Sequence, residues 1–256
     1  MAGGHFFDVT DGGPLRLELR SIDGLDFTVL RQFGYRAPRH EEPFVVPADL
    51  DRFATDLASV PWVFTWLVPK SGDFLPAAVL HDALVDNEHL GPRIDRVEAD
   101  RLFREAMIGL GTGRVRAWLM WAAVCTATMW RSGRLATRLA LVGFLAAVVV
   151  LGSLATLDVA DVWNVLPWML EGSLGAEIAA GAVGAAVVPA VLSVTWGRLW
   201  RAAVILGVSL AFLLHVTVVL AVLSGLYFAL ERVVSGPRDQ RGLRTRDRGR
   251  AGHQTR

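Results

Sequence analysis

Apolar and polar positions change rhythm twice along this chain. Through residues 5–47 the apolar residues fall in short runs, His5–Val9, Leu15–Arg20 and Leu25–Phe33, two of them with partial alternation. Alternation with period two predicts short strands. Asp11–Gly12–Gly13–Pro14 and Asp23–Gly24 supply the turns between them, and Phe44–Pro47 reads as a further short strand ended by proline. Past about residue 50 the spacing becomes helical. Pro76 suits the first turn of a helix over Ala77–Val85, and Asn87–Pro92 reads as a loop. Ile94–Leu110 is amphipathic, with Ala99, Leu102, Phe103, Ala106, Met107 and Leu110 on one face, and Gly109, Gly111 and Gly113 close it. Val115–Trp130 predicts a further helix, short for a membrane span and carrying Arg116.

The second change is to long uncharged stretches. Leu139–Leu157 has 19 residues without a charge, Ile178–Gly197 has 20 and Ala202–Leu230 has 29. A membrane span needs roughly 20 residues, so each is long enough, and the last must tilt, protrude or break. The expected fold class is therefore an α+β N-terminal domain, short antiparallel strands and then helices, followed by about three transmembrane α-helices. The expected domains are 1–131, a soluble α+β unit, 132–230, the membrane region with spans near 139–157, 178–197 and 202–230, and 231–256, a basic disordered tail.

Charge sharpens this division. Residues 1–131 carry 14 basic and 18 acidic side chains, a net −4, and residues 132–256 carry 12 and 7, a net +5. Arg131, Arg134 and Arg138 precede the first stretch, and Arg198 and Arg201 lie between the second and third. The loop Asp158–Gly172 has Asp158, Asp161 and Glu171 and no basic residue. By the positive-inside rule the N-terminal domain is cytoplasmic, in a multi-pass protein of the inner or plasma membrane. Three spans would put the tail outside, although its last 26 residues hold eight arginines. The lipid bilayer is the expected partner. Ala176, Ala180 and Gly184 have the small-residue spacing that permits helix-mediated self-association.

Several chemistries are unsupported. Cys125 is the single cysteine, so no intrachain disulfide can form. Neither a phosphate-binding Gly-x-x-x-x-Gly-Lys-Ser/Thr loop nor a His-Glu-x-x-His zinc motif is present. The acidic balance of residues 1–131 argues against nucleic acid as a partner.

Two segments place reactive side chains among apolar ones: Ala54–Thr55–Asp56–Leu57–Ala58–Ser59–Val60–Pro61 and Ala77–Ala78–Val79–Leu80–His81–Asp82. His81 could be a general base oriented by a carboxylate such as Asp56, or His81 and Asp82 could ligate a divalent metal, with Asp100 as a third carboxylate facing their helix. The plainer alternatives are a buried hydrogen-bonded histidine, Asp56 or Thr55 as a helix cap, and Asp100 paired with Arg96 or Arg104 along its own helix. Ser59 is a candidate nucleophile, but it lacks the Gly-x-Ser-x-Gly elbow.

Thr55–Asp56–Leu57–Ala58–Ser59–Val60–Pro61, Ala77–Ala78–Val79–Leu80–His81–Asp82 and Arg96-x-x-Ala99–Asp100-x-x-Phe103-x-x-Ala106–Met107 occur in this order. Together they resemble a family of small bacterial and phage-encoded proteins catalogued as a domain of unknown function. The resemblance directs attention to Asp56, Ser59, His81, Asp82 and Asp100 together, and it implies no activity. The chain departs from the family in having Ala83–Leu84–Val85 where aromatic residues commonly follow His-Asp, and in its membrane region. Two functions lead at this point, ahead of a transporter or channel component, for which the spans are few. One is a membrane-anchored, metal-dependent hydrolase using Asp56, His81, Asp82 and Asp100. The other is a non-catalytic, phage-derived interaction module tethered to the membrane.

Overall fold

The computed structural model describes residues 4–22, 26–48, 54–55, 72–169 and 173–235. The chain divides into two compact units, Met1–Leu214 and His215–Arg256.

The first unit opens with six short strands: β1 His5–Asp8, β2 Leu19–Ser21, β3 Phe27–Val29, β4 Phe33–Arg36, β5 Phe44–Val46 and β6 Ala54–Thr55. They form two antiparallel three-stranded sheets, ordered β1-β4-β5 and β2-β3-β6. In the first, Phe6 lies opposite Tyr35 and Phe7 opposite Gly34. A Cβ at Gly34 would stand 2.3 Å from the Phe7 ring, so only glycine lets that ring cross the sheet.

The run Leu25–Phe33, expected as one strand, supplies two strands in different sheets. Arg31 is the reason. Between β3 and β4 the chain turns so that its guanidinium pairs with the buried carboxylate of Asp8 and approaches Asp11 and Glu18. The Asp8 carboxyl is held below the usual carboxylate range first by its hydrogen bond from Arg31, against the opposing effect of burial. Leu15–Arg20 contributes only its last two residues, Leu19 and Arg20, to a strand.

The helices follow in chain order: α1 Leu75–Val85, α2 Arg96–Gly109, α3 Arg114–Arg131, α4 Leu135–Val159, α5 Leu174–Leu192 and α6 Trp200–Ser235, with a 3-10 segment Ser193–Leu199 before α6. Their ends are chemically explicit. Asp95 caps α2 by accepting the Glu98 N–H at 2.8 Å. Gly111, at φ +88°, closes α2 while the Thr112 N–H bonds the Met107 carbonyl and the Gly111 N–H bonds that of Ile108. Asn87, at φ 59°, closes α1 with the same bond pattern.

Two cores result. One gathers Val29, Phe33, Tyr35, Phe44 and Val46 from the strands with α1, the apolar face of α2, and Ala117 and Met120 of α3. The other gathers Trp121, Cys125 and Met129 of α3 with Leu141 and Phe144 of α4, Trp196 and Leu199 of the 3-10 segment, and Ala202 and Ala203 of α6. At Gly207 a Cβ would meet Phe144 and Pro189 at 2.6 Å, so this glycine allows α4, α5 and α6 to close on one another.

By length and composition, two helical stretches could cross a membrane: Leu135–Val159, of 25 residues, and Leu174–Leu214, of 41. The expected second span and the start of the expected third fall in the same stretch, because α5, the 3-10 segment and α6 follow one another without a loop. The backbone breaks only at Gly197, whose φ is 54°. Gly184 faces the Trp168 indole, since a Cβ there would lie 2.8 Å from its Nε1. In the second unit α6 continues to Ser235, with Leu226, Tyr227, Phe228 and Leu230 exposed. The expected tail beyond residue 235 lies outside the described residues.

Candidate functional site: the His81 cluster

Helix α1 is buried on nearly every side. Ala77, Ala78, Val79, Leu80, Ala83 and Leu84 are all in the core, and His81 and Asp82 break that surface. Their neighbours come from two other elements. On α2, Asp100 and Phe103 lie three residues apart and so share a face. His81 Nε2 is 2.8 Å from Asp100 Oδ1, and its ring packs against Phe103 with centroids 5.0 Å apart. On β6, the Thr55 hydroxyl donates to Asp82 Oδ2. The motif spacing Ala99–Asp100-x-x-Phe103 thus provides an acceptor and a flat apolar wall for one imidazole, with Ala99 buried beside them.

The two carboxylates are unequal. Asp100 is fully buried, and its Oδ2 has no hydrogen-bond partner among the described residues. The Asp82 side chain keeps 21% of its surface and that of His81 12%. His81 Nδ1 stands 3.9 Å from Asp82 Oδ1, beyond hydrogen-bonding distance. The cluster therefore has a sealed end, Asp100 with Nε2, and an end that reaches solvent, where Nδ1 and Oδ1 face each other across a gap.

Burial acts first on His81 and favours the neutral ring. The hydrogen bond to Asp100 and the charges of Asp100 and Asp82 outweigh it, so the pKa is raised above the ordinary imidazole value. The two nearby carboxylates keep His81 in its charged form to higher pH. Cys125 of α3 faces the same cluster. Burial pushes its thiol up, and the Asp100 carboxylate pushes the same way, which makes it a poor nucleophile.

Of the residues expected to carry chemistry, the structure brings His81, Asp82 and Asp100 together. Asp56 and Ser59 lie outside the described residues. Asp100 is paired across helices with His81. Arg96, one of its alternative partners, reaches the Val85 carbonyl and Asp86, and Arg104, the other, stacks on Trp118 and Trp121 at 4.1 and 4.7 Å. Thr55, weighed earlier as a helix cap, sits in a strand because β6 pairs with β3, opposite Phe27. Its contact with Asp82, 27 residues on, leaves no local trace in the sequence. Phe103 was legible only as a core residue.

His81, Asp82 and Asp100 were also the expected metal ligands. Here His81 Nε2 is engaged directly by Asp100, and among the described residues no group of three or more His, Cys, Asp or Glu side chains is placed to hold a metal ion. Two other histidines of this unit have settled partners: His40 bonds Glu98 at 3.1 Å, and both His89 ring nitrogens lie within 3.3 Å of backbone carbonyls.

Residues 27–124 match the model of a family described as protein of unknown function (DUF1353), which supports placing this segment in a family of uncharacterised function. The matched segment contains β3 to β6, α1, α2 and the first part of α3, and so every residue of the His81 cluster. No curated protein and no solved structure matched the chain.

Proposed function

We propose that the chain is a membrane-anchored hydrolase whose acid–base centre is the His81 cluster. The observation that carries this reading is the solvent-side gap of 3.9 Å between His81 Nδ1 and Asp82 Oδ1, backed by the buried Asp100 on the far ring nitrogen. A site with one group to take a proton and one to give it, both within reach of a reacting atom placed beside them, is the arrangement that hydrolysis needs. Asp82, held by Thr55, takes the proton of the attacking water. His81, its pKa raised by the facing carboxylates and its ring oriented by Asp100, delivers a proton from Nδ1 to the leaving group. Transfer between the two restores the starting state. Asp56 and Ser59 enter this proposal on their sequence pattern alone.

The engaged Nε2 favours chemistry without a metal, and the earlier metal-dependent form becomes an outcome of the test. The full chain in membranes is offered chromogenic esters, phosphoesters and amides, with and without a chelator. Turnover that survives chelation and falls by about a hundredfold or more in Asp82→Asn and His81→Gln supports the reading. Turnover abolished by chelator alone moves it to the metal form. No turnover of any substrate by the parent chain removes the hydrolase reading.

One observation favours the interaction module: the complete burial of Asp100, which suits a polar network that fixes the fold. On that reading His81→Gln lowers stability and changes no activity.

The anchoring half of the proposal has three spans near 139–157, 178–197 and 202–230, with the N-terminal domain in the cytoplasm of a bacterial cell. It is supported by the two apolar stretches and by the basic residues flanking them. Protease added to spheroplasts should leave residues 1–131 intact, and cleavage there would reverse the orientation.

A further inference from the structure

At the edge of the second core lies a set of cations that the hydrolase reading does not use. The ion pairs of the N-terminal strands and helices fall within residues 8–105. Arg131, Arg134, Arg138, Arg198 and Arg201 are exposed and take part in none of them. They border the second core. The turn 131–134 joins α3 to α4, and Arg198 and Arg201 flank Leu199, which packs in that core with Met129 and Leu141.

Tryptophans accompany the arginines. Arg138 lies over the Trp130 ring at 5.5 Å, with its Nε donating to the Trp130 carbonyl at 2.8 Å. Arg201 lies over Trp200 at 5.4 Å. Both rings are half-exposed, at 52% and 49%. Nearby Arg104 is pushed down first by burial and then by the charges of Arg101 and Arg201, against the pull of Glu105. Arg201 is thus near enough to Arg104 for the two charges to repel, and it stands beside helices whose outer surfaces are apolar. Guanidinium groups bind phosphate, and tryptophan rings rest where hydrocarbon meets headgroup.

We infer that this arginine–tryptophan collar binds the phosphate headgroups of anionic phospholipids in the bilayer that holds α4. The inference rests on the membrane reading above and deepens it, since it specifies the lipid. It assigns the collar, and not only the basic tail, as the source of lipid preference.

The test reconstitutes the full chain in nanodiscs of phosphatidylcholine with phosphatidylglycerol and measures by native mass spectrometry which lipid stays bound. Carbonate extraction of cell membranes first checks insertion, so failure of the membrane reading is seen separately. The expected result is phosphatidylglycerol retained several-fold above its share of the bilayer. That preference should fall about fivefold for each arginine removed in Arg138→Gln and Arg201→Gln, and be kept in Arg138→Lys. Arg134→Gln removes an exposed cation held only through its backbone N–H, which donates to Ser132 Oγ, and it gives the same reading if the other variants fail to insert. Retention in proportion to the bilayer overturns the inference. So does a preference that all the variants keep, which would assign it to the tail. Displacement of the lipid by inorganic phosphate would mark a soluble-phosphate site, and displacement by polyglutamate an acidic protein partner, and either result overturns it.

Discussion

The core beneath α1 and the helices after residue 134 are both built from leucine, valine and alanine, but they dispose of these residues in opposite ways. In the first, Val79, Leu80, Leu84 and Leu102 are fully enclosed, and the buried Asp100 among them is paired through Oδ1 with His81. In the second, Leu139, Val150, Ile178 and Val187 stand more than half exposed, and under a fifth of each apolar window is buried. Apolar surface of that extent suits a membrane or another protein. The same side chains are packed against protein in one region and available to lipid in the other, and the few polar groups take their meaning from that. A carboxylate in the first region needs a partner within the protein, whereas an arginine at the edge of the second is left exposed.

Truncation breaks the comparison most directly. Leu80→Ala should cost about 2–5 kcal/mol, because it leaves a cavity in a closed core. Val150→Ala, at a position 54% exposed, should change the melting temperature in detergent very little. Equal losses at the two sites would mean that α4 is packed against protein after all.

Asp100 comes next. Asp100→Asn keeps the volume but removes the charge that His81 faces, and should cost about 1–3 kcal/mol. Denaturant unfolding of the parent and variant measures it. A loss below the error of that measurement would mean that the pair is solvated, contrary to its burial.

The same pair predicts a direction with pH. The folded pKa of His81 is raised above its ordinary value near 6.5, so its contribution is fully present below that pH and is lost as pH rises through the folded value. Parent stability should therefore decline on going from mildly acidic to alkaline pH more than that of His81→Gln. The groups that face the ring are Asp82 and Asp100, with Thr55 behind Asp82. A parallel pH profile for the two proteins would show that His81 does not titrate differently on folding.

Helix period made much of this legible in advance. The three helices of residues 75–131 fall within a few residues of their expected bounds, and Asp100 stood out because it flanks the apolar stripe of α2. Strand divisions were less legible, since Arg31 turns the chain for a carboxylate 23 residues earlier, and no local pattern reports that. Thr55 was hidden for the same reason: its partner Asp82 is reached only once β6 has paired with β3. Among the apolar helices, the charged pair Arg198 and Arg201 looked like a loop between two spans. The chain passes it as a 3-10 segment broken at Gly197 alone, which composition cannot distinguish from a loop.

The smallest effect tests how the first region keeps its geometry. Asp95 caps α2 through the Glu98 N–H, five residues before Asp100, and Glu98 in turn bonds His40. Asp95→Ala should cost about 1 kcal/mol, the usual value for a lost side-chain cap. Its more telling consequence is local. If the first turn of α2 frays, His40 loses a fixed partner while the His81–Asp100 bond, one turn further into the helix, stays formed. Imidazole NMR shifts of the variant should then move at His40 and not at His81. Movement at both would mean that the cap positions the acid–base pair as well as ending the helix.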